Sequence, residues 1–257
     1  MTVLIAGGGI AGLVMGLTLH QLGLPLRIYE RVAASQPLGV GINLQPNSVR
    51  ELFDLGLAAE LEAIGIRTRQ YGFYSKSGRE IWVEPRGLAA GYRWPQFSIH
   101  RGQFQMLLLR VLRARPGEDC VVTGARVVAF ETSDSGAALV LADGQRIAGD
   151  VVIAADGIHS AIRKQMVPQE GDPIWNGAIM WRGTFWAAIP WHWRGMTINA
   201  SSPIQSRQPI RARVLLKSTG SLNYGSTPRG NCSKATGTAR LTKRISCLPS
   251  KTGALTG

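Results

Sequence analysis

Three glycines near the start of the chain, Gly7, Gly9 and Gly12, have the spacing of a loop that binds phosphate groups. An apolar, strand-like segment at 3–6 precedes the loop, and a helix-like run at 10–22 follows it. In this arrangement the first glycine permits a tight turn, the second lets the backbone approach a pyrophosphate, and the third lets the helix pack against the strand. The N–H groups and the positive dipole end of the helix attract the anion. The segment therefore predicts a nucleotide-binding site.

An acidic residue, Glu30, strengthens this interpretation. It ends a second strand-like segment at 26–30 and lies 18 residues after Gly12. An acidic side chain at about this distance bonds the ribose hydroxyls of an adenine nucleotide. A GxGxxG pattern alone is often an ordinary glycine-rich loop, but the order strand, loop, helix, strand and acid favours a Rossmann-like βαβ unit. The predicted fold class is therefore α/β.

A second polar segment follows a buried-type strand at 150–155. It begins with Asp156-Gly157 and leads into a short helix near Ser160, with Arg163 in the first turns. From the residues alone, Asp156 could be an ordinary helix-starting aspartate. Arg163 could equally lie on a solvated helix face. Whether Asp156 and Arg163 bind a ligand therefore stays open at this point.

Periodicity and turn residues predict the remaining elements. They are a helix opened by Pro46 and ended at Gly56, a hairpin at 71–84, a helix from about 102 to 113, strands at 120–131, 137–142 and 145–148, and strand character at 177–188. Short turns join the three strands between 120 and 148, which predicts an antiparallel meander.

The formal net charge of +13 is unevenly distributed along the chain. All 16 acidic residues precede residue 197, and the last 61 residues contain 10 Lys and Arg and no acid. These basic residues are scattered among Ser, Thr, Gly and Pro without an amphipathic period, which argues against nucleic-acid binding. The segment 197–257 is predicted to be a tail of doubtful fold, disordered or produced by out-of-frame translation.

Other site classes receive little support from the residue types. Cys120, Cys232 and Cys247 form no CxxC or zinc spacing, and the four histidines form no metal spacing, so no metal is predicted. Cys120 lies in a strand-like run, where a buried thiol in a reducing compartment is expected. The sequence contains no uninterrupted run of eighteen apolar residues, so neither a membrane span nor a membrane partner is predicted, and a cytoplasmic location is. The oligomeric state is left open.

Several segments together resemble the flavin-dependent aromatic hydroxylases, the family that includes salicylate and para-hydroxybenzoate hydroxylases. The resemblance covers roughly residues 2–190. It rests on the glycine loop with Glu30, the segment 39–47 (GVGINLQPN), His100-Arg101, the segment 156–163 (DGIHSAIR) and Trp181-Arg182-Gly183. It implies an FAD-binding domain at 1–172, with 71–98 contributing to the substrate layer, and an incomplete substrate domain at 173–196.

The resemblance also implies the cofactor and the residues that hold it. The implied FAD contacts are Gly7, Gly9, Ile10, Ala11, Gly12, Glu30, Arg31, Gly41, Asn43, Arg101, Asp156, Gly157 and Arg163. Arg101 could instead cap a helix or pair with Glu30, and Asn43 could stabilise a turn. In the family, NADH or NADPH reduces FAD, and the reduced flavin uses O₂ to hydroxylate a small aromatic substrate. No catalytic side chain is assigned.

The chain departs from the family pattern beyond about residue 190. Members carry a second FAD segment of the form Gly-Asp-Ala-Ala-His-Pro after the substrate domain, and residues 190–257 contain no match to it. A frameshift or truncation near residue 196 is therefore expected, and activity of this chain is expected to be impaired. Two alternatives are a non-catalytic FAD- or nucleotide-binding fragment and another flavoprotein oxidoreductase of the same fold.

Overall fold

The computed structural model describes residues 1–34, 36–37, 41–74, 79–134 and 136–174. Beyond these it describes the backbone of three strands, 181–187, 196–199 and 212–218. The predicted turn at 77–78 and most of the predicted tail lie outside the described residues. All described residues belong to one compact unit, Met1–Ser221.

The structure describes fifteen strands and five α-helices. The strands are β1 (Val3–Ala6), β2 (Leu26–Glu30), β3 (Gly41–Leu44), β4 (Gly65–Thr68), β5 (Gln70–Tyr74), β6 (Glu80–Pro85), β7 (Gln96–His100), β8 (Val121–Thr123), β9 (Val127–Ser133), β10 (Gly136–Leu141), β11 (Arg146–Gly149), β12 (Val151–Ala154), β13 (Trp181–Ala187), β14 (Met196–Asn199) and β15 (Ala212–Ser218). The helices are α1 (Ile10–Gln21), α2 (Pro46–Asp54), α3 (Ala58–Ile64), α4 (Arg101–Ala114) and α5 (Ala161–Met166).

A four-stranded parallel sheet with the order β12-β1-β2-β8 forms the centre of the nucleotide-binding half. Strand β1 pairs with β2 from Val3↔Leu26 onward and with β12 from Val3↔Val151 onward. Four consecutive buried residues in β1 explain its continuous apolar pattern, because both faces of a central parallel strand are covered. The predicted α/β class and βαβ unit are confirmed.

The single strand expected at 120–131 is wrong, because the structure divides it into two. Gly124 has a φ of +74°, and this turn ends β8 before β9 begins at Val127. Strand β8 extends the parallel sheet beside β2, whereas β9 joins β10 and β11 in an antiparallel sheet. The meander is therefore β9-β10-β11. Its apolar face packs on the parallel sheet through Leu139 and Leu141.

Three further sheets complete the described part. Strands β3, β7 and β4 form an antiparallel sheet with β7 in the centre, and the predicted hairpin is β5 with β6. Strand β14 pairs in parallel with β5, and β15 pairs antiparallel with β13. Most of β14 and all of β15 fall in the range for which the sequence predicted a tail. The segment of β15, Ala-Arg-Val-Leu-Leu-Lys-Ser, contains a continuous apolar run at its centre, Val214–Leu216.

The main core lies between the parallel sheet and helices α1 and α4. Leu13 and Leu17 of α1, together with Leu108 and Leu112 of α4, are almost completely buried. Burying each such side chain contributes about 1.5–3 kcal/mol relative to exposure. Within the described part of the chain, none of the helices has the length and apolarity needed to cross a bilayer.

Cys120 tests this packing because its thiol is buried beneath α4. The residue is 7% exposed, and its Sγ lies 3.9 Å from the carbonyl oxygen of Leu112. Burial raises the pKa of the thiol, and the nearby charge of Arg113 only partly opposes this effect. We expect alkylation of Cys120 by iodoacetamide, followed by peptide mass spectrometry, to be at least about tenfold slower in the native than in the urea-unfolded protein.

The same shift has a consequence for stability at alkaline pH. The folded state favours the neutral thiol. The contribution of Cys120 to the free energy of unfolding is therefore fully present below the pKa of the unfolded thiol, and it is lost as the pH rises through the raised pKa of the folded state. The Cys120→Ser variant should lack this component of the alkaline destabilisation. Equal alkylation rates in the native and unfolded states would contradict the buried assignment.

Candidate functional site

A cleft of about 850 Å³ lies at the carboxyl ends of β1, β2 and β12. Five segments line it: the glycine loop, the residues after β2, the first turns of α4, the turn between β8 and β9, and the loop between β12 and α5. Ligands of open parallel sheets bind in the crevice outside the carboxyl ends of the strands. The volume is in the range of pockets that hold small molecules and cofactors.

The three motif glycines occupy different environments in the loop. Gly7 has a φ of +103°, and a Cβ added there would lie 2.4 Å from the carbonyl oxygen of Ala155. A Cβ on Gly12 would lie 2.0 Å from the carbonyl oxygen of Gly7, so the helix approaches the loop more closely than any side chain permits. A Cβ on Gly9 would meet no described atom within 4 Å. Gly7 and Gly9 both line the cleft.

The start of α1 is suited to an anion. Gly9 is the N-cap residue, no side chain caps the helix, and the first turn contains no acidic residue. The first intrahelical bond runs from the N–H of Leu13 to the carbonyl oxygen of Gly9, 2.9 Å away. The N–H groups of Ile10, Ala11 and Gly12 precede this bond, so they are the orphan donors of the helix N-terminus. A phosphate group would satisfy such donors and complement the helix dipole.

Glu30 lies beside the glycine loop and also lines the cleft. Its Oε2 accepts a hydrogen bond from the N–H of Gly8 at 2.6 Å, and its Oε1 accepts one from the N–H of Val32 at 2.9 Å. The carboxylate is therefore held in place by the backbone on both sides. Each oxygen keeps a further acceptor position for a hydroxyl group.

Three arginines, Arg31, Arg101 and Arg126, give the cleft its positive charge. None of them forms an ion pair with any of the residues that the structure describes. The two acids in the lining, Glu30 and Asp156, both accept bonds from backbone N–H groups. The proposed pairing of Arg101 with Glu30 is therefore not seen. An arrangement of this kind favours a negatively charged ligand.

Asp156 has a structural role as well as a place in the cleft. Its Oδ2 accepts a bond from the N–H of Ala161 at 2.8 Å, at the start of α5. Ser160 caps the same helix by accepting a bond from the N–H of Arg163 at 2.9 Å. Asp156 therefore bonds the backbone at the start of α5, although Ser160 and not Asp156 is the N-cap residue. A ligand contact is compatible with this role because Asp156 and Gly157 both line the cleft.

Six of the thirteen predicted cofactor residues lie outside the lining of this cleft: Ile10, Ala11 and Gly12 at the start of α1, and Gly41, Asn43 and Arg163 elsewhere. The guanidinium of Arg163 donates to the carbonyl oxygen of Ile158 at 2.7 Å and pairs with Glu170 at 2.8 Å. Asn43 accepts a bond from the hydroxyl of Ser98 at 2.8 Å, across the antiparallel sheet. Gly41 pairs with His100 in the same sheet. Their assignment as FAD contacts stays a prediction.

Gln105 and Arg126 are among the cleft residues that sequence reasoning missed. Arg126 follows the turn at Gly124, which the sequence analysis placed inside a continuous strand. Gln105 lies four residues after Arg101 on α4, so the two side chains share a helix face. That spacing was the available signal, because the motif already singled out Arg101. No group of three or more His, Cys, Asp or Glu side chains suited to a metal ion occurs among the described residues.

The FAD binding domain family matches residues 1–176. The chain belongs to this family. The predicted cofactor, FAD, is confirmed, and the cleft fits it: the uncapped start of α1, the open space at Gly9 and the positive charge of the three arginines all suit a diphosphate. The predicted relationship to flavin-dependent hydroxylases is confirmed as well, because the similar proteins are named as such.

Two curated relatives illustrate the similarity. The chain is 42% identical over 189 residues to the phenazine 1,6-dicarboxylic acid hydroxylase PhzS of Lysobacter antibioticus, covering 70% of this chain and 46% of that protein. It is 36% identical over 184 residues to the aurachin C monooxygenase/isomerase of Stigmatella aurantiaca, covering 71% of this chain and 47% of that protein. The chain thus spans about half the length of the curated relatives that it matches.

Among solved structures, Klebsiella pneumoniae HpxO complexed with FAD and uric acid is similar, with a TM-score of 0.63 and 28% sequence identity. The match covers 72% of this chain and 46% of that one. CtdE in complex with FAD and a substrate has the same TM-score of 0.63 at 21% identity, which supports the fold alone.

Proposed function

We propose that this chain is the FAD-binding part of a monooxygenase that uses NADH or NADPH and O₂ to hydroxylate a small aromatic compound. The observation that carries the proposal is the cleft itself, where an uncapped helix start lies beside three arginines that have no ion-pair partner among the described residues. The names of the relatives supply the reaction class: a phenazine dicarboxylic acid hydroxylase, aminohydroxybenzoate monooxygenases and a urate hydroxylase. All three names indicate flat ring systems.

In this proposal different residues bind different parts of the cofactor. The N–H groups at the start of α1 and the guanidinium of Arg101 bind the diphosphate, and the carboxylate of Glu30 binds ribose hydroxyls. Arg31 and Arg126 flank the adenosine end, because the turn that carries Arg126 is bonded to the backbone of Glu30. FAD supplies the redox chemistry when bound, accepting electrons from the nicotinamide and passing them to O₂. The protein positions the cofactor and shields it from water.

A second candidate is an FAD-binding chain with little hydroxylase activity of its own. The observation that favours it is the coverage of about half of each relative's length. In that case the bound flavin would be reduced by NADH or NADPH and reoxidised by O₂ with formation of H₂O₂ rather than a hydroxylated product.

One experiment tests both candidates. The purified chain is reconstituted with FAD, its flavin absorbance and FAD Kd are measured, and oxidation of NADH and NADPH is followed with a panel of benzoates, phenazine carboxylates and urate. Substrate-stimulated oxidation with a hydroxylated product supports the monooxygenase. Oxidation that yields only H₂O₂ supports the second candidate. A colourless protein that retains no FAD contradicts both.

Arg126 gives a prediction specific to the adenosine end of the cleft. We expect Arg126→Ala to raise the Kd of FAD about three- to tenfold, because one unpaired positive charge beside the ligand is lost. The Kd of ADP, measured by competition with FAD, should rise by the same factor. The matched control is Arg27→Ala on β2, an exposed arginine outside the cleft lining, which should leave both values unchanged. Equal effects of the two substitutions would contradict a local role for Arg126.

A further inference from the structure

Both polar backbone groups of Gly8, the middle residue of the glycine loop, are bound by side chains from other elements. Its N–H donates to Glu30 on β2 at 2.6 Å, and its carbonyl oxygen accepts a bond from Nε2 of Gln105 on α4 at 3.1 Å. Glu30 and Gln105 are 22 and 97 residues away along the chain. The loop is therefore held from two sides by side chains that also line the cleft.

Close packing of the two helices brings Gln105 within reach of the loop. A Cβ on Gly16 of α1 would lie 2.9 Å from Cδ1 of Ile28 and 3.2 Å from Cδ2 of Leu112 on α4, so the absence of a side chain lets α4 lie close to α1. The first turns of α4 consequently lie beside the start of α1. Gln105 shares its helix face with Arg101, and both side chains reach the cleft.

The bond to Gln105 fixes the orientation of one peptide group. The carbonyl oxygen of Gly8 and the N–H of Gly9 belong to the same trans peptide, so they point in opposite directions. Gln105 holds the carbonyl oxygen of Gly8 on the side of α4, so the N–H of Gly9 points away from α4. If this peptide rotated, a carbonyl oxygen would replace an N–H donor, and a phosphate would meet a negative partial charge instead of a positive one.

We propose that Gln105 is a positioning residue that holds the Gly8–Gly9 peptide in the orientation that receives the diphosphate of FAD. The proposal rests on the proposed function of the cleft as the FAD site. Gln105 need not touch the cofactor for this role. It acts by keeping the glycine loop in one conformation before FAD arrives, which lowers the cost of ordering the loop on binding.

The test compares Gln105→Met, which keeps the length of the side chain and removes the donor, with the wild type. We expect the Kd of FAD and of ADP to rise about five- to tenfold, as for the loss of one neutral hydrogen bond that orders the site. The Kd of adenosine, which has no phosphate, should stay unchanged. In the FAD-free protein, amide hydrogen exchange in the segment 7–12 should become faster.

Gln21→Met is the matched control. Gln21 lies at the other end of α1 and donates a similar amide bond to the carbonyl oxygen of Asp54 at 3.2 Å. This variant should show any general loss of stability, seen as a lower Tm, without a change in Kd or in hydrogen exchange at 7–12. Such a contrast separates positioning of the loop from a merely structural contribution of the bond.

The proposal is overturned if Gln105→Met binds FAD like the wild type with unchanged exchange at 7–12. The proposal is also overturned if Gln105→Met raises the Kd of adenosine as much as the Kd of ADP. A wild-type chain that binds neither FAD nor ADP would refute the proposed function instead. Exchange at 7–12 in the FAD-free protein would still decide whether Gln105 orders the loop.

Discussion

Gly9→Ala is expected to fold like the wild type and to bind FAD at least about tenfold more weakly. The added methyl group meets no described atom within 4 Å, and the φ of Gly9 is −73°, which any residue adopts. Folding therefore has no reason to suffer. The methyl group would occupy the space through which the backbone approaches a pyrophosphate, so the cost falls on the cofactor. The measurements are the Tm of the FAD-free protein and the Kd of FAD from quenching of flavin fluorescence.

Gly12→Ala provides the contrasting member of the pair. Its Cβ would lie 2.0 Å from the carbonyl oxygen of Gly7, so the helix or the loop must move. Forcing an atom into such a packed position costs typically about 1–3 kcal/mol, and we expect both a lower Tm and a loss of FAD binding. Equal Tm losses in the two variants would contradict the open environment of Gly9. Unchanged FAD affinity in Gly9→Ala would contradict the assignment of the glycine loop to the cofactor site.

Arg101→Ala is expected to raise the Kd of FAD about ten- to a hundredfold, which corresponds to the loss of one charge-assisted hydrogen bond of about 1.5–3 kcal/mol. Arg101 lines the cleft at the first turn of α4 and has no ion-pair partner among the described residues. Its removal leaves no buried acid unpaired, so the Tm of the FAD-free protein should not fall. The dependence of the Kd on ionic strength should also become weaker, because one charge contact to phosphate is lost.

Arg110→Ala is the control for this substitution. Arg110 lies on the same helix, is exposed, and is outside the lining of the cleft. The net charge of the protein changes equally in the two variants, so a difference in Kd reports the position of the charge and not its amount. If both substitutions raise the Kd of FAD equally, FAD binding depends only on the overall charge of the protein.

The elements that the sequence predicted well are those defined by local patterns. The βαβ unit follows from an apolar strand, the glycine spacing and the acid at Glu30, and the hairpin β5-β6 follows from two strand-like runs around a turn. The division between β8 and β9 was missed because Gly124 was read as part of a strand. Its positive φ is a tertiary outcome, since one strand pairs with β2 and the other with β10.

The site was predictable where one motif carries it and not where distant residues meet. Of the residues predicted to contact FAD, seven line the cleft: Gly7, Gly9, Glu30, Arg31, Arg101, Asp156 and Gly157. Their contacts with FAD stay a prediction. The bond between Gln105 and Gly8 joins residues 97 positions apart, and no local pattern indicates such a contact. The same applies to the carboxylate of Glu30, whose bond to the N–H of Gly8 depends on how β2 lies beside the loop.

The position of β1 in the sheet has a consequence for the order of assembly during synthesis. This first strand pairs with β12, whose residues follow 148 positions later, and the turn at Gly7 packs against the backbone of Ala155. At a translation rate of about 5–20 residues per second, the nascent chain waits roughly 7–30 s before the second neighbour of β1 has been made. Until then the glycine loop lacks the wall that closes it on one side. The cofactor site therefore cannot be complete before β12 and the residues that follow it have been made, although its glycine motif is the first to leave the ribosome.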